Sequence, residues 1–141
     1  MANSKYDYGR ELYLAGSTSW ALGTVRMCFV STAVYTFSAG HTALAQTAAG
    51  LVGTASSAFA GKTVSTGVAD SNDITIQAVP TTGGSVVGAI ILYHDNYPAA
   101  VGGGTPLIAY IDTAASGLPI TPNGGDITVS WRNGSNKIFK L

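Results

Sequence analysis

Residues 127–141 read Ile127-Thr128-Val129-Ser130-Trp131-Arg132-Asn133-Gly134-Ser135-Asn136-Lys137-Ile138-Phe139-Lys140-Leu141. Ile127, Val129 and Trp131 alternate with Thr128, Ser130 and Arg132, the period-two pattern of a strand with one face buried. Asn133-Gly134 is the dipeptide favoured in two-residue hairpin turns, where both central residues need positive φ. The spacing therefore predicts a C-terminal hairpin with Lys137–Leu141 as its return strand. Working back along the chain, LIAYI at 107–111 and VVGAIILY at 86–93 are continuous apolar runs of strand length, which suits strands covered on both faces. DITIQAV at 73–79 alternates through Ile74, Ile76 and Ala78, and Val25, Met27 and Phe29 alternate within residues 24–30, as half-buried strands require.

Helical patterning is confined to the start of the chain. Tyr8, Leu12 and Ala15 recur on one face, Ser4 and Asp7 resemble a weak capping box, and Gly16 supplies a stop, so residues 5–15 are expected to form a short amphipathic helix. Residues 31–61 are rich in Ala, Ser, Thr and Gly, with room for one helical turn in HTALAQTAAG. Residues 95–106 combine two prolines with Gly102-Gly103-Gly104, a flexible connection. Strands in need of sheet partners lie on both sides of these stretches, and no repeat of 20–50 residues is visible. The expected architecture is a single domain over residues 1–141, mainly β, an antiparallel β-sandwich or jelly roll with one short N-terminal helix.

The composition narrows the function classes. The 141 residues carry 7 Lys+Arg against 7 Asp+Glu, for a formal net charge of zero, and only 10% are charged while 46% are apolar. Average chains are about 25% charged. A nucleic-acid binder needs a basic excess to neutralise phosphates, which argues against that partner. A disordered chain needs fewer apolar residues and more net charge. Weak self-repulsion instead favours association of copies. The uncharged stretch from Met27 to Gly61 is broken by Ser31, Thr32, Thr36, His41 and Gln46, so no membrane partner is expected. No apolar core follows a basic start at the N-terminus, and Cys28 is the sole cysteine. The chain is therefore expected to be synthesised and kept in a cytoplasm until released, without a structural disulfide.

Chemistry-bearing patterns are sparse. His41 and His94 are candidate general bases by residue type, and a Cys28/His94/Asp95 nucleophile set can be drawn; hydrogen-bonded histidines and a small buried thiol are the better account. Ala60-Gly61-Lys62-Thr63 has the end of a phosphate loop but Ser56 where its first glycine belongs, and Val64-Ser65-Thr66 continues as a strand. Gly83 to Gly88 has similar glycine spacing but Ala89 and Ile90 where Lys and Ser/Thr belong, so it reads as a hairpin turn. Asp70 and Asp73 could share a cation, although a solvated turn explains them better. Asn133-Gly134-Ser135 matches a glycosylation sequon that the turn already accounts for. Trp20 and Trp131 could face a glycan, but core packing fits both. No catalytic, cofactor-binding or metal-ligating residue is predicted, and no cofactor.

YDYGRELYLAG at 6–16 followed by Trp20 and TVRMCFV, PLIAYIDT at 106–113, and GLPITPNGGDITVSWRNGSNKIFKL at 117–141 resemble a widespread group of small virion structural proteins of tailed bacteriophages. The nearest role this resemblance implies is a capsid decoration, or cement, protein. It would be a non-enzymatic trimer on the shell of the virion, bound to the major capsid protein and stabilising contacts between its subunits. Residues 1–5 and the glycine loop 102–104 are the expected arms. The alternatives are a tail or fibre component and, outside viruses, a carbohydrate-binding sandwich.

Overall fold

The computed structural model describes residues 3–81, 86–98, 104–135 and 137–141. Among the described residues, ten strands form antiparallel sheets and one short α-helix packs against β8. The main sheet has five strands in the order β1-β8-β7-β2-β3, with β1 Ser4–Lys5, β2 Val25–Val30, β3 Leu51–Val52, β7 Ala89–His94 and β8 Leu107–Ile111. At its centre β2 pairs with β7 from Val25↔His94 to Val30↔Ala89. β7 pairs with β8 from Ile90↔Ile111, with a register shift at Leu92/Tyr93. Two smaller sheets complete the fold: β10-β5-β4 (Phe139–Lys140, Val68–Asp70 and Thr63–Ser65) and β6-β9 (Ile74–Ile76 and Ile127–Val129).

The central strands are buried on both faces. On one face Met27, Phe29, Ile90 and Leu92 pack with Ile74, Ile76, Ala69 and Phe139 from the smaller sheets. This is the two-layer arrangement of a sandwich. On the other, Cys28, Val30, Ile91 and Tyr110 pack with Tyr35, Phe37 and Leu44 from the segment after β2. The continuous apolar runs at β7 and β8 thus meet the expectation of double coverage, and every residue of both strands is buried. In β2 the expected half-burial is replaced by near-complete burial, because residues 31–50 fold back as a second cover rather than lying out as a loop. That cover includes a 3-10 helix over Leu44–Gly50, longer than the single turn expected.

Helix α1 spans Asp7–Leu14. Its N-cap is Tyr6, without a side-chain cap, so the Ser4/Asp7 capping box does not form. Ser4 is in β1, pairing with Tyr110. Residues 3–5 are accordingly no free arm: Asn3 donates its side-chain amide to the Thr113 carbonyl and accepts the Asp112 and Thr113 amides. Of the expected arms, Met1, Ala2, Gly102 and Gly103 lie outside the described residues, as do Gly83 and Gly84 of the expected hairpin turn, while the Gly104 carbonyl accepts the Tyr97 amide at 3.1 Å. β1 and α1 together close the edge of β8. Gly9 permits this, since a Cβ there would collide with the Leu107 carbonyl oxygen.

The C-terminal hairpin is a correction. β9 pairs with β6, from Ile74↔Val129 to Ile76↔Ile127, while β10 pairs with β5 in the other small sheet. Neither Asn133 nor Gly134 adopts positive φ. Tertiary contacts override the local turn preference on both sides of it. The Asp73 carboxylate accepts the Trp131 backbone N–H at 2.9 Å, Lys137 pairs with Asp70 at 2.6 Å, and Phe139 packs edge-on against Trp20 at 5.2 Å. The alternation itself holds: Thr128, Ser130 and Arg132 are exposed, while Ile127, Val129 and Trp131 are half-buried.

Candidate functional site

The sheet register separates the residues from which a nucleophile set could be drawn. Cys28 stands opposite Ile91 and His94 opposite Val25, and residues of odd and even number along one strand project from opposite faces, so thiol and imidazole lie on different sides of the sheet. Burial pushes the Cys28 thiol up to about 12, and its Sγ lies 3.9 Å from the Ile91 carbonyl. Asp95 forms an ion pair with Arg26 at 2.7 Å, and Arg26 also donates to the Ser56 carbonyl.

His94 is 1% exposed. Its Nε2 lies 3.0 Å from the Tyr13 hydroxyl and 3.1 Å from that of Thr18. Desolvation pulls the imidazole down to about 4, with Lys62 adding to the effect and a backbone hydrogen bond to Thr24 opposing it. A neutral ring with its other nitrogen bonded to that backbone leaves the single lone pair of Nε2 to accept from one of the two hydroxyls, with the other beside it. Gly23 makes room for it: a Cβ there would come within 2.7 Å of the ring. The arrangement fixes α1 and the following turn to β7. His41 accepts or donates at 2.8 Å to the Tyr35 hydroxyl, which meets the Tyr6 hydroxyl at 3.0 Å, a buried chain on the opposite face.

The other singled-out residues serve the fold. Lys62 donates to the Gly23 carbonyl and leads into β4 at Thr63–Ser65; the strand expected over 64–66 stops one residue short, because Thr66 turns the chain with φ of 51°. Asp70 is held by Lys137 and Asp73 by the Trp131 amide. Among the described residues no three His, Cys, Asp or Glu side chains gather as a metal site, and no helix is long and apolar enough to cross a membrane. Trp20 is 3% exposed, donates to the Asp70 carbonyl and packs edge-on against Phe59 and Phe139. Asn133, Gly134 and Ser135 are exposed.

A cleft of about 1150 Å³ lies under β9. Its floor is the main sheet at Phe29, Ile90 and Ala109, and its walls are residues 113–118, 127–132 and 137–141. Across the β6-β9 sheet burial falls off sharply: Ile74 and Ile76 are 7% and 2% exposed, whereas their partners Val129 and Ile127 are only half-buried. Trp131 lines the cleft and packs on Phe59 at 5.7 Å, but its indole N–H is buried without a hydrogen-bond partner among the described residues. Lys5, Arg132, Lys137 and Lys140 also line it, and no acidic side chain does among the described residues.

No protein-family model, curated protein or solved structure matches the chain. The cleft's geometry is what distinguishes this surface.

Sequence reasoning placed Ile127, Val129 and Trp131 on one apolar face but took that face as core. The signal for a cleft was present in part, since three alternating apolar residues beside the basic Arg132, Lys137 and Lys140 mark a face that is neither wholly core nor wholly solvated. The Tyr6–Tyr35–His41 chain left no such signal, because its members are brought together only by the fold-back of residues 31–50.

Proposed function

We propose that this protein is a structural component of a tailed-phage virion, a capsid decoration protein that binds the outside of the shell and bridges neighbouring major capsid subunits, as a trimer. The observation that carries the reading is the position of the sequence phrases that resemble such proteins. Residues 6–16 hold α1, residues 106–113 hold β8, and residues 117–141 hold β9 and β10. The first closes the edge of the second, and parts of the second and third line the cleft beneath β9. Together with TVRMCFV at 24–30, which holds β2, the resembling phrases cover the buried central strands β2 and β8 and the helix and strands packed against them.

A rigid sheet covered on both sides, carrying a weakly charged surface of Ser, Thr, Asn and Gly, suits close contact without the desolvation cost of buried charge. Stabilisation follows from mass action. A bridge that binds the intact lattice better than the loosened one adds about 2.7 kcal/mol per site at 100 times its Kd, and a shell offers many sites. With residues 3–5 already paired in β1, the contact falls to the surface of the folded body rather than to an N-terminal arm.

The test is reconstitution. Capsids lacking this protein are mixed with the purified chain, and their resistance to DNA loss on heating or chelation is measured. Binding to the shell with increased retention is expected. Binding to tails alone favours a tail component, and sugar-dependent binding by the isolated protein favours a glycan-binding module; either outcome overturns the proposal.

A further inference from the structure

We propose that the cleft beneath β9 is the seat for the helix-and-turn segment of a second copy of this chain, residues 7–22, so that copies join head to tail. The inference concerns self-association and stands whether or not the shell is the final partner.

The cleft has the character of a protein contact. Its volume is about 1150 Å³. Half-buried Leu118, Ile120, Ile127, Val129 and Trp131 line it. Of the four cations in its lining, Lys137 is held by Asp70 while Lys5, Arg132 and Lys140 form no ion pair among the described residues. The occupant should therefore be apolar, with negative charge beside the apolar groups.

The chain itself presents such a surface. Leu14 and Leu22 are 88% and 91% exposed, the most exposed large hydrophobic side chains among the described residues. Glu11, the only glutamate, is exposed one helical turn from Leu14 and forms no ion pair among the described residues. Asp7 in the first turn is already paired with Arg10, leaving Glu11 as the carboxylate for the cationic rim. None of residues 7–22 lines the cleft, so one copy can offer the segment to one neighbour while its cleft receives that of another. A contact between two different patches is heterologous, and it closes into a ring when the rotation between copies permits.

The experiment is a mixing test read by light scattering after gel filtration. The wild-type chain is expected to run as a closed oligomer. Leu14→Asp with Leu22→Asp removes the segment's apolar surface, and Arg132→Glu with Lys140→Glu reverses the rim. Each double variant is expected to be a monomer with an unchanged circular dichroism spectrum, since all four positions are exposed. Mixed in equal amounts, they retain one functional segment and one functional cleft, and should form a dimer containing one of each and nothing larger. Should the leucine variant misfold, Glu11→Lys carries the same expectation on the helix side, with association weakened at least tenfold. A wild-type monomer at 100 times the concentration of the assay, oligomers that survive either change, or folded variants that stay monomeric when mixed would overturn the proposal.

Discussion

The two faces of the five-stranded sheet are closed by different means. On one, a single contiguous segment, residues 31–50, folds back over Cys28, Val30, Ile91 and Tyr110 and is tied down by the Tyr6–Tyr35–His41 hydroxyl chain. On the other, the cover is assembled from two small sheets drawn from distant parts of the chain. It is tight around Trp20, Phe59 and Phe139 and open beneath β9. Residue type does not decide the difference, since Ile76 and Ile127 face each other across one ladder and differ in burial. What decides it is whether a second layer lies directly over the sheet at that point. A cover made of separate pieces leaves a gap where they fail to meet.

Four measurements break or sharpen this contrast. Leu92 is fully buried beneath the assembled cover, and Leu92→Ala is expected to destabilise by about 2–5 kcal/mol in urea unfolding, the cost of lost transfer energy plus a cavity. The second expectation is a pH dependence at the tight end of the same cover. His94 is held neutral with its imidazole pulled to about 4, whereas the unfolded chain protonates near the ordinary 6.5, so between these values the unfolded state binds the additional proton. Stability is complete above pH 6.5 and falls as the pH drops toward 4, by about 3 kcal/mol in total from this group. Urea midpoints measured across that range should show this slope, and His94→Gln should flatten it.

Smaller effects are expected from the hydroxyl chain and from the cleft wall. Tyr6→Phe removes one hydroxyl and leaves Tyr35 bonded to His41, a loss of about 1 kcal/mol in urea unfolding. Ile127→Ala, measured in the same way in the monomeric rim variant, should cost about 1 kcal/mol or less, because the side chain is already half in solvent and little new cavity forms. If Ile127→Ala costs as much as Leu92→Ala, the cleft is closed in solution.

The strands with the strongest local signals were legible in the sequence. β8 lies at 107–111 as its apolar run indicates, β2 at Val25–Val30 and β7 at Ala89–His94 fall within a residue or three of their runs, and the N-terminal helix is in place but shorter at its start. Pairing was less legible, because it is set by contacts remote in sequence. Asn133-Gly134 is a strong turn signal worth a local preference, and it yields to the Asp73, Asp70 and Trp20 contacts that anchor the flanking segments to different sheets. The cover over 31–50 was illegible for a similar reason. Small Ala, Ser and Thr side chains carry little periodicity, and the residues that matter there, Tyr35, Phe37 and Leu44, are spaced by the shape of the surface they cover rather than by a helix or strand repeat. The cleft was visible only as an apolar face, since sequence alternation marks which residues turn inward but not what, if anything, lies opposite.

The central functional claim is that this chain occupies the shell. Imaging purified particles with and without the protein tests it most directly. The account predicts difference density on the outer surface of the capsid at the local three-fold positions, each seat the size of three copies. Density confined to the tail, or none on the particle, would contradict it.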